Sequence, residues 1–227
     1  GPCADECRLC FISYQPIPLV HGMTLGELAR LYVEHFGLAC ELEVVPMQGW
    51  RRNMLWDETG LTWVDPSPNL RNPTQALLYP AIGLLEGTNL SVGRGTDEPF
   101  ERLGAPWVDG RRLALALSRA RIPGLSFTPI EFTPRSSVFT GELCGGVHVA
   151  LTERDAYQPV LAGLTIAWHL NRLFGSAFDA AGVDARLFDH VTWEALMTCA
   201  DPRELPALWA DELREFQAAR SRVLLYD

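Results

Sequence analysis

Between Leu84 and Thr96 the chain reads L-L-E-G-T-N-L-S-V-G-R-G-T, which gathers a carboxylate (Glu86), an amide (Asn89), hydroxyls and a guanidinium (Arg94) in one glycine-rich run. A carboxylate here can serve as general acid, general base or nucleophile. An arginine can fork onto a carboxylate or phosphate, and glycines let a ligand approach the backbone closely. The apolar residues 81–86 read as a buried strand, so Glu86 is expected to emerge at a strand end, where sites form. The G-x-G at 93–95 lacks the third glycine and the helix of a dinucleotide fingerprint. The plain alternative is an ordinary glycine-rich loop.

Three further clusters carry chemistry. His21-Gly22 stands at the mouth of an expected helix, whose dipole favours the neutral ring; neutral imidazole can take a proton or orient a hydroxyl. The alternative is a ring bonded to a nearby carbonyl. Arg51 and Arg52 follow Trp50, with Trp56 and Trp63 close behind; arginine forks bind anions, and indole faces stack on sugars or cations. In Asp65-Pro-Ser67-Pro-Asn69, flanking prolines fix the backbone and present Ser67 and Asn69 as hydrogen-bonding groups. No G-x-S-x-G surrounds Ser67, so it is not read as a nucleophile.

These groups must be positioned by a folded chain. The 227 residues are 48% hydrophobic and 21% charged, which supplies ample core and sets the chain apart from disorder. Net charge is −9, which argues against nucleic acid as a partner. No apolar run approaches the roughly 18 residues of a membrane span. No charged stretch leads into an apolar signal segment. All 19 basic residues are arginine, so a Schiff-base or P-loop lysine is excluded. Cys3, Cys7 and Cys10 cluster without a second cysteine pair or paired histidines, so no metal is expected and the thiols are read as reduced and mostly packed.

Residues up to Pro18 read as irregular. Thr24 and Glu27 form a capping-box pattern that starts a helix at about residue 25, stopped by Gly37. Leu25, Leu28, Ala29, Tyr32 and Phe36 fall on its apolar face, with Glu27, Arg30 and Glu34 opposite. Glu41–Val45 alternates like a strand with one buried face. Residues 46–75 are loop-like, and 87–98 form a turn region. Asp109 caps a helix through Ala120. Residues 125–133 and 146–152 read as strands, and Pro159–Phe174 as a central, almost wholly apolar helix. Thr192 to about Arg220 reads as helical, with Leu205, Trp209, Leu213 and Phe216 inward.

Four stretches together resemble the bacterial exo-β-N-acetylmuramidase (NamZ-like) family, once catalogued as a domain of unknown function. They are PIPLVHGMTLGELARLY (16–32), VVPMQGWRRNMLWDETGLTWVDPSPNL (44–70), ALLYPAIGLLEGTNLSVGRGTDEPFERLGAPWVDG (76–110) and FTPRSSVFTGELCGGVHVALTERDAYQPVLAGL (132–164). The resemblance covers most of the chain in order and spacing. One departure is Val92, where the family usually has a glutamate. The resemblance implies removal of a non-reducing-end N-acetylmuramic acid from peptidoglycan fragments, without metal or nucleotide cofactor, in a periplasmic or secreted setting. It also implies that this chain is about the C-terminal three-fifths, with a missing N-terminal α/β half that contributes a catalytic glutamate.

The resulting expectation is α/β passing into α+β. Residues 1–74 would end a Rossmann-like α/β domain, and residues 75–227 would form a smaller C-terminal α+β domain. A cleft between them would be lined by His21, Arg51, Ser67, Asn69, Glu86, Asn89 and Arg94. Glycosidic hydrolysis commonly uses two carboxyl groups. Glu86 is the candidate from this chain, with His21 as a further catalytic group. Arg94 or Arg51 would hold the lactyl carboxylate of muramic acid, Asn69 and Asn89 the hydroxyl or acetamido groups, and Ser67 is a further substrate-binding residue. A non-catalytic muropeptide-binding module and a plain scaffold domain are the competing readings.

Overall fold

The computed structural model describes residues 1–10 and 12–227. Phe11, inside the stretch read as irregular, lies outside the described residues. Seven α-helices and three β-strands are described: α1 (Leu25–Glu34), α2 (Pro73–Ile82), β1 (Arg102–Ala105), α3 (Gly110–Ala120), β2 (Leu125–Phe132), β3 (Cys144–Leu151), α4 (Pro159–Phe174), α5 (Ala181–Leu187), α6 (His190–Thr198) and α7 (Ala210–Ser221). The strands form one antiparallel sheet in the order β1-β3-β2, with Leu103 opposite Val147 and Phe127 opposite Val149. The fold is therefore mixed, with a small antiparallel sheet among helices.

Helix α3 begins where the Asp109 side chain accepts the Arg112 N–H at 3.0 Å, and its Leu113 and Leu117 are buried. It lies so close to the sheet that a Cβ on Gly110 would meet the Gly146 carbonyl oxygen at 2.3 Å. Helix α4 is central, as its composition requires: Leu164, Ile166 and Leu170 have no exposed surface. It packs against α2, where a Cβ on Gly163 would meet the Ala81 carbonyl oxygen at 2.4 Å. The buried members of the main core run from Leu78 to Trp209, and Leu70 is the earliest of the partly buried hydrophobic residues packed against it. Each fully buried leucine there is worth about 1.5–3 kcal/mol relative to exposure.

Residues 1–74 are built differently. Their one α-helix, α1, has the expected capping box: Thr24 Oγ1 accepts the Glu27 N–H at 3.3 Å, and Glu27 Oε2 accepts the Thr24 N–H at 2.8 Å. Its faces are not the expected ones. Leu25 is 86% exposed, while Glu27 and Leu31 are wholly buried. The reason is electrostatic: Glu27 Oε1 meets Arg52 Nη2 at 2.5 Å and accepts the Leu225 N–H at 2.8 Å. Burial raises the Glu27 pKa, but the Leu225 and Thr24 N–H donors and the Arg52 guanidinium outweigh it and hold the carboxyl at about 2.

Several expectations are corrected. Residues 81–86 are not a strand: they finish α2 and pass through a 3-10 turn at Gly83–Leu85. Asn72, whose side chain accepts the Gln75 N–H, and Pro73 at the first helical position start that helix. Glu41–Val45 has no ladder partner among the described residues, and no described strand precedes it, so residues 1–74 show no Rossmann-like crossover. The alternation there is still meaningful, because Leu42 and Val44 face α1 across a cavity also lined by Arg30, Val33 and Leu225. The expected long terminal helix is three pieces, broken by Asp201-Pro202 and Pro206 around a 3-10 segment at Pro202–Ala207. Cys7, Cys10 and Cys40 are exposed rather than packed.

Candidate active site

Glu86 follows the 3-10 turn that closes α2, so a helix end, not a strand end, delivers it. Its Oε1 accepts a hydrogen bond from Arg94 Nε in an ion pair whose side chains remain 18% and 34% exposed. The Arg94 guanidinium carbon lies 5.3 Å from the centre of the Phe100 ring. Phe100 is buried, and its ring meets that of Tyr79 edge-on at 4.9 Å. Of the predicted residues, Glu86 and Arg94 are thus brought into direct contact.

The glycines of this run serve the chain itself. A Cβ on Gly87 would meet the Gly182 carbonyl oxygen at 2.2 Å, so α5 lies directly on the turn after Glu86. Gly95 is covered just as closely by Ser136, and Gly93 less closely, by the Glu98 carbonyl at 2.7 Å. The close approach expected for a ligand is therefore taken up by backbone. Asn89 is likewise committed: Nδ2 donates to the Ala177 carbonyl and Oδ1 accepts the Asp179 N–H, both at 2.8 Å. Its amide ties this turn to the segment that precedes α5. Val92 is buried in the main core.

His21 and Arg51 adjoin the contact between Gly22 and Arg52. His21 Nδ1 accepts the Met23 N–H at 3.2 Å, which leaves Nε2 to carry the ring proton. Burial, aided by the nearby Arg220 charge, pushes the His21 pKa down, so the neutral ring expected from the helix dipole arises from different causes. The Gly22 carbonyl accepts from both Arg52 and Arg220. Of the paired arginines, Arg52 is therefore structural, while Arg51 is exposed and enters no described ion pair. Nothing in the spacing of Arg51-Arg52 distinguishes the two roles.

Ser67 and Asn69 lie in a turn where the Leu70 N–H bonds the Ser67 carbonyl and the Asn69 N–H reaches Ser67 Oγ at 3.4 Å. Trp63 Nε1 donates to the Leu70 carbonyl, and Trp56 packs edge-on against Trp63 at 5.4 Å. The tryptophans thus anchor this loop, and Asp57 ties it to Arg154 at 2.8 Å. None of the four cavities described is lined by Glu86, Arg94, Ser67, Asn69 or Arg51 together with His21. None of these four cavities unites the seven residues expected to share a cleft.

No group of three or more histidine, cysteine or acidic side chains is placed to hold a metal ion among the described residues. Cys3, the most buried of the N-terminal three, has its thiol pushed up to about 12 by burial and by Glu212, which disfavours a metal-binding thiolate. No described helix is long and apolar enough to cross a membrane.

Two crystal structures of DUF1343 family proteins from Bacteroides fragilis NCTC 9343 match this chain over its whole length at 28% identity, with TM-scores of 0.90 and 0.79; the match covers 62% of each of those chains. Family models are more specific. Residues 1–74 match "Exo-beta-N-acetylmuramidase NamZ, N-terminal" and residues 77–226 match "Exo-beta-N-acetylmuramidase NamZ, C-terminal", so the chain belongs to the NamZ family. The peptidoglycan beta-N-acetylmuramidase NamZ of Bacillus subtilis (strain 168) is 41% identical over 179 residues, which is 79% of this chain and 43% of that protein. The chain thus spans less than half of this curated relative.

Proposed function

We propose that this chain is the saccharide-handling part of a glycosidase that releases N-acetylmuramic acid from the non-reducing end of peptidoglycan fragments. The observation that carries the reading is the partly exposed Glu86–Arg94 pair, in a chain 41% identical to a β-N-acetylmuramidase. Glu86 supplies one carboxylate beside the glycosidic bond. Arg94 spends Nε on Glu86 and keeps the rest of its fork for the lactyl carboxylate, the group that distinguishes muramic acid from glucosamine. His21, Arg51, Ser67 and Asn69 are the other members of the candidate set in this chain. An α/β half corresponding to the rest of the relatives' length would complete it. We place the boundary between the two parts at residues 74–75, supported by the start of the main core at Leu78.

The test is ligand discrimination. Arg94→Ala should weaken N-acetylmuramic acid binding by about 1.5–3 kcal/mol, the worth of a charge-assisted bond, and leave N-acetylglucosamine binding almost unchanged. Equal losses for both sugars would point to Arg51 or to a structural role. The non-catalytic module has one observation in its favour: none of the described cavities encloses Glu86. Binding of a muramyl-glucosamine disaccharide without turnover would select it.

A further inference from the structure

Gln75, Tyr79, Ile82 and Glu86 recur at helical spacing along α2 and the turn that follows it; Gln75 and Ile82 are buried beneath this row, and Tyr79 and Glu86 are its members that reach solvent. From Gln75 to Glu86 the row is about 16 Å long, at 1.5 Å per residue. One end is the Glu86–Arg94 pair described above. The middle is aromatic: Tyr79 is 42% exposed and rests on buried Phe100. The far end is Glu101, half-buried, whose Oε1 accepts from Gln75 Nε2 at 2.9 Å.

Gln75 is 1% exposed and fully committed. Its backbone N–H goes to Asn72 Oδ1, its side-chain oxygen accepts the Arg71 N–H at 2.8 Å, and its amide nitrogen holds Glu101. Among the described residues Glu101 enters no ion pair, and the bond from Gln75 to Oε1 is its one side-chain hydrogen bond. Phe100, immediately before it, has φ of 64°, an uncommon conformation for a bulky residue that concentrates at functional sites. Phe100 thus underlies both Arg94 and Tyr79 while its strained backbone turns the chain into Glu101.

We infer that this strip is an extended saccharide subsite. N-acetylmuramic acid sits at the Arg94 end, and the second sugar of the fragment lies on Tyr79 with a hydroxyl donating to Glu101. An exposed aromatic ring offers a flat apolar surface for a sugar's C–H face. A carboxylate with a free oxygen is an acceptor matched to hydroxyl donors. A few polar groups beside an aromatic surface is the usual makeup of a small-molecule site. Gln75 is a positioning residue that fixes the Glu101 carboxylate. The inference rests on the proposed function for the identity of the sugars.

The experiment is calorimetric titration of the natural full-length protein with two probes, the N-acetylmuramyl-N-acetylglucosamine disaccharide and N-acetylmuramic acid alone. The disaccharide should bind more tightly. Glu101→Gln and Tyr79→Ala should each weaken the disaccharide about tenfold and leave the monosaccharide unchanged, while Tyr79→Phe keeps the affinity. The strip is overturned if the disaccharide binds no better than the monosaccharide. It is also overturned if both variants weaken both probes equally. Cleavage of the disaccharide by the wild-type protein is scored separately. Selective weakening without cleavage upholds the strip and removes the hydrolase reading; cleavage with variants that bind normally does the reverse.

Discussion

Residues 75–227 and residues 1–74 are held by different forces. The larger region is organised around an apolar core that unites the sheet with α2, α3 and α4. The smaller has a satellite cluster whose buried members among the described residues are Leu31, Ala219 and Val223, and two of those three belong to the other end of the chain. What fastens it is polar and is supplied largely by the C-terminal tail. Arg52 donates to the Tyr226 carbonyl and its N–H to that of Asp227; Leu225 donates to Glu27; Tyr226 OH accepts the Met47 N–H, and its ring meets Trp50. Exposed Leu25, Val45, Leu61 and Val64 lie in this region too. Hydrophobic burial spreads its stabilisation over many residues, whereas a polar clasp concentrates it in a few.

The sharpest way to break this contrast is Arg52→Ala. It leaves the wholly buried Glu27 carboxylate without its counter-charge, which costs about 3–5 kcal/mol. Hydrogen exchange should accelerate in α1 and the 50–54 loop while α3 and α4 keep their protection. A uniform loss of protection across the chain would show that the two regions unfold as one.

Acid should act on the same clasp. The Glu27 carboxyl is lowered in the fold from an ordinary 4.5 to about 2. Its contribution is therefore complete above pH 4.5 and is lost as pH falls toward 2, about 3 kcal/mol in all. Exchange in α1 should rise through that window and hardly change for Glu27→Gln, which has no charge to lose. The smallest effect belongs to the apolar region. Asp109→Ala removes the α3 cap and should cost about 1 kcal/mol, read as a modest drop in Tm without a change in α1 exchange.

Legibility in the sequence follows the same divide. The positions of α1 and α3 were readable from their caps, α4 from its long apolar run, and β2 and β3 because they are long strands. Residues 81–86 misread as strand because a short apolar run has no period to separate strand from helix. Strand β1, only four residues long, left no pattern to find. Burial of Glu27 was invisible because its partners, Arg52 and Leu225, are remote in sequence. In the site, glycine and asparagine types suggested ligand contact, but only packing shows that Gly87 and Asn89 are engaged by the α5 region. The Glu86–Arg94 pair brings together a carboxylate and a guanidinium that the sequence already set eight residues apart.

The central claim is that Glu86 is part of the chemistry. Glu86→Gln, made in the natural full-length protein and assayed on a chromogenic N-acetylmuramic acid glycoside, should lower kcat by about 10²-fold or more with Tm little changed. A variant that melts normally and keeps its full kcat would contradict the account and move the catalytic carboxylates away from Glu86.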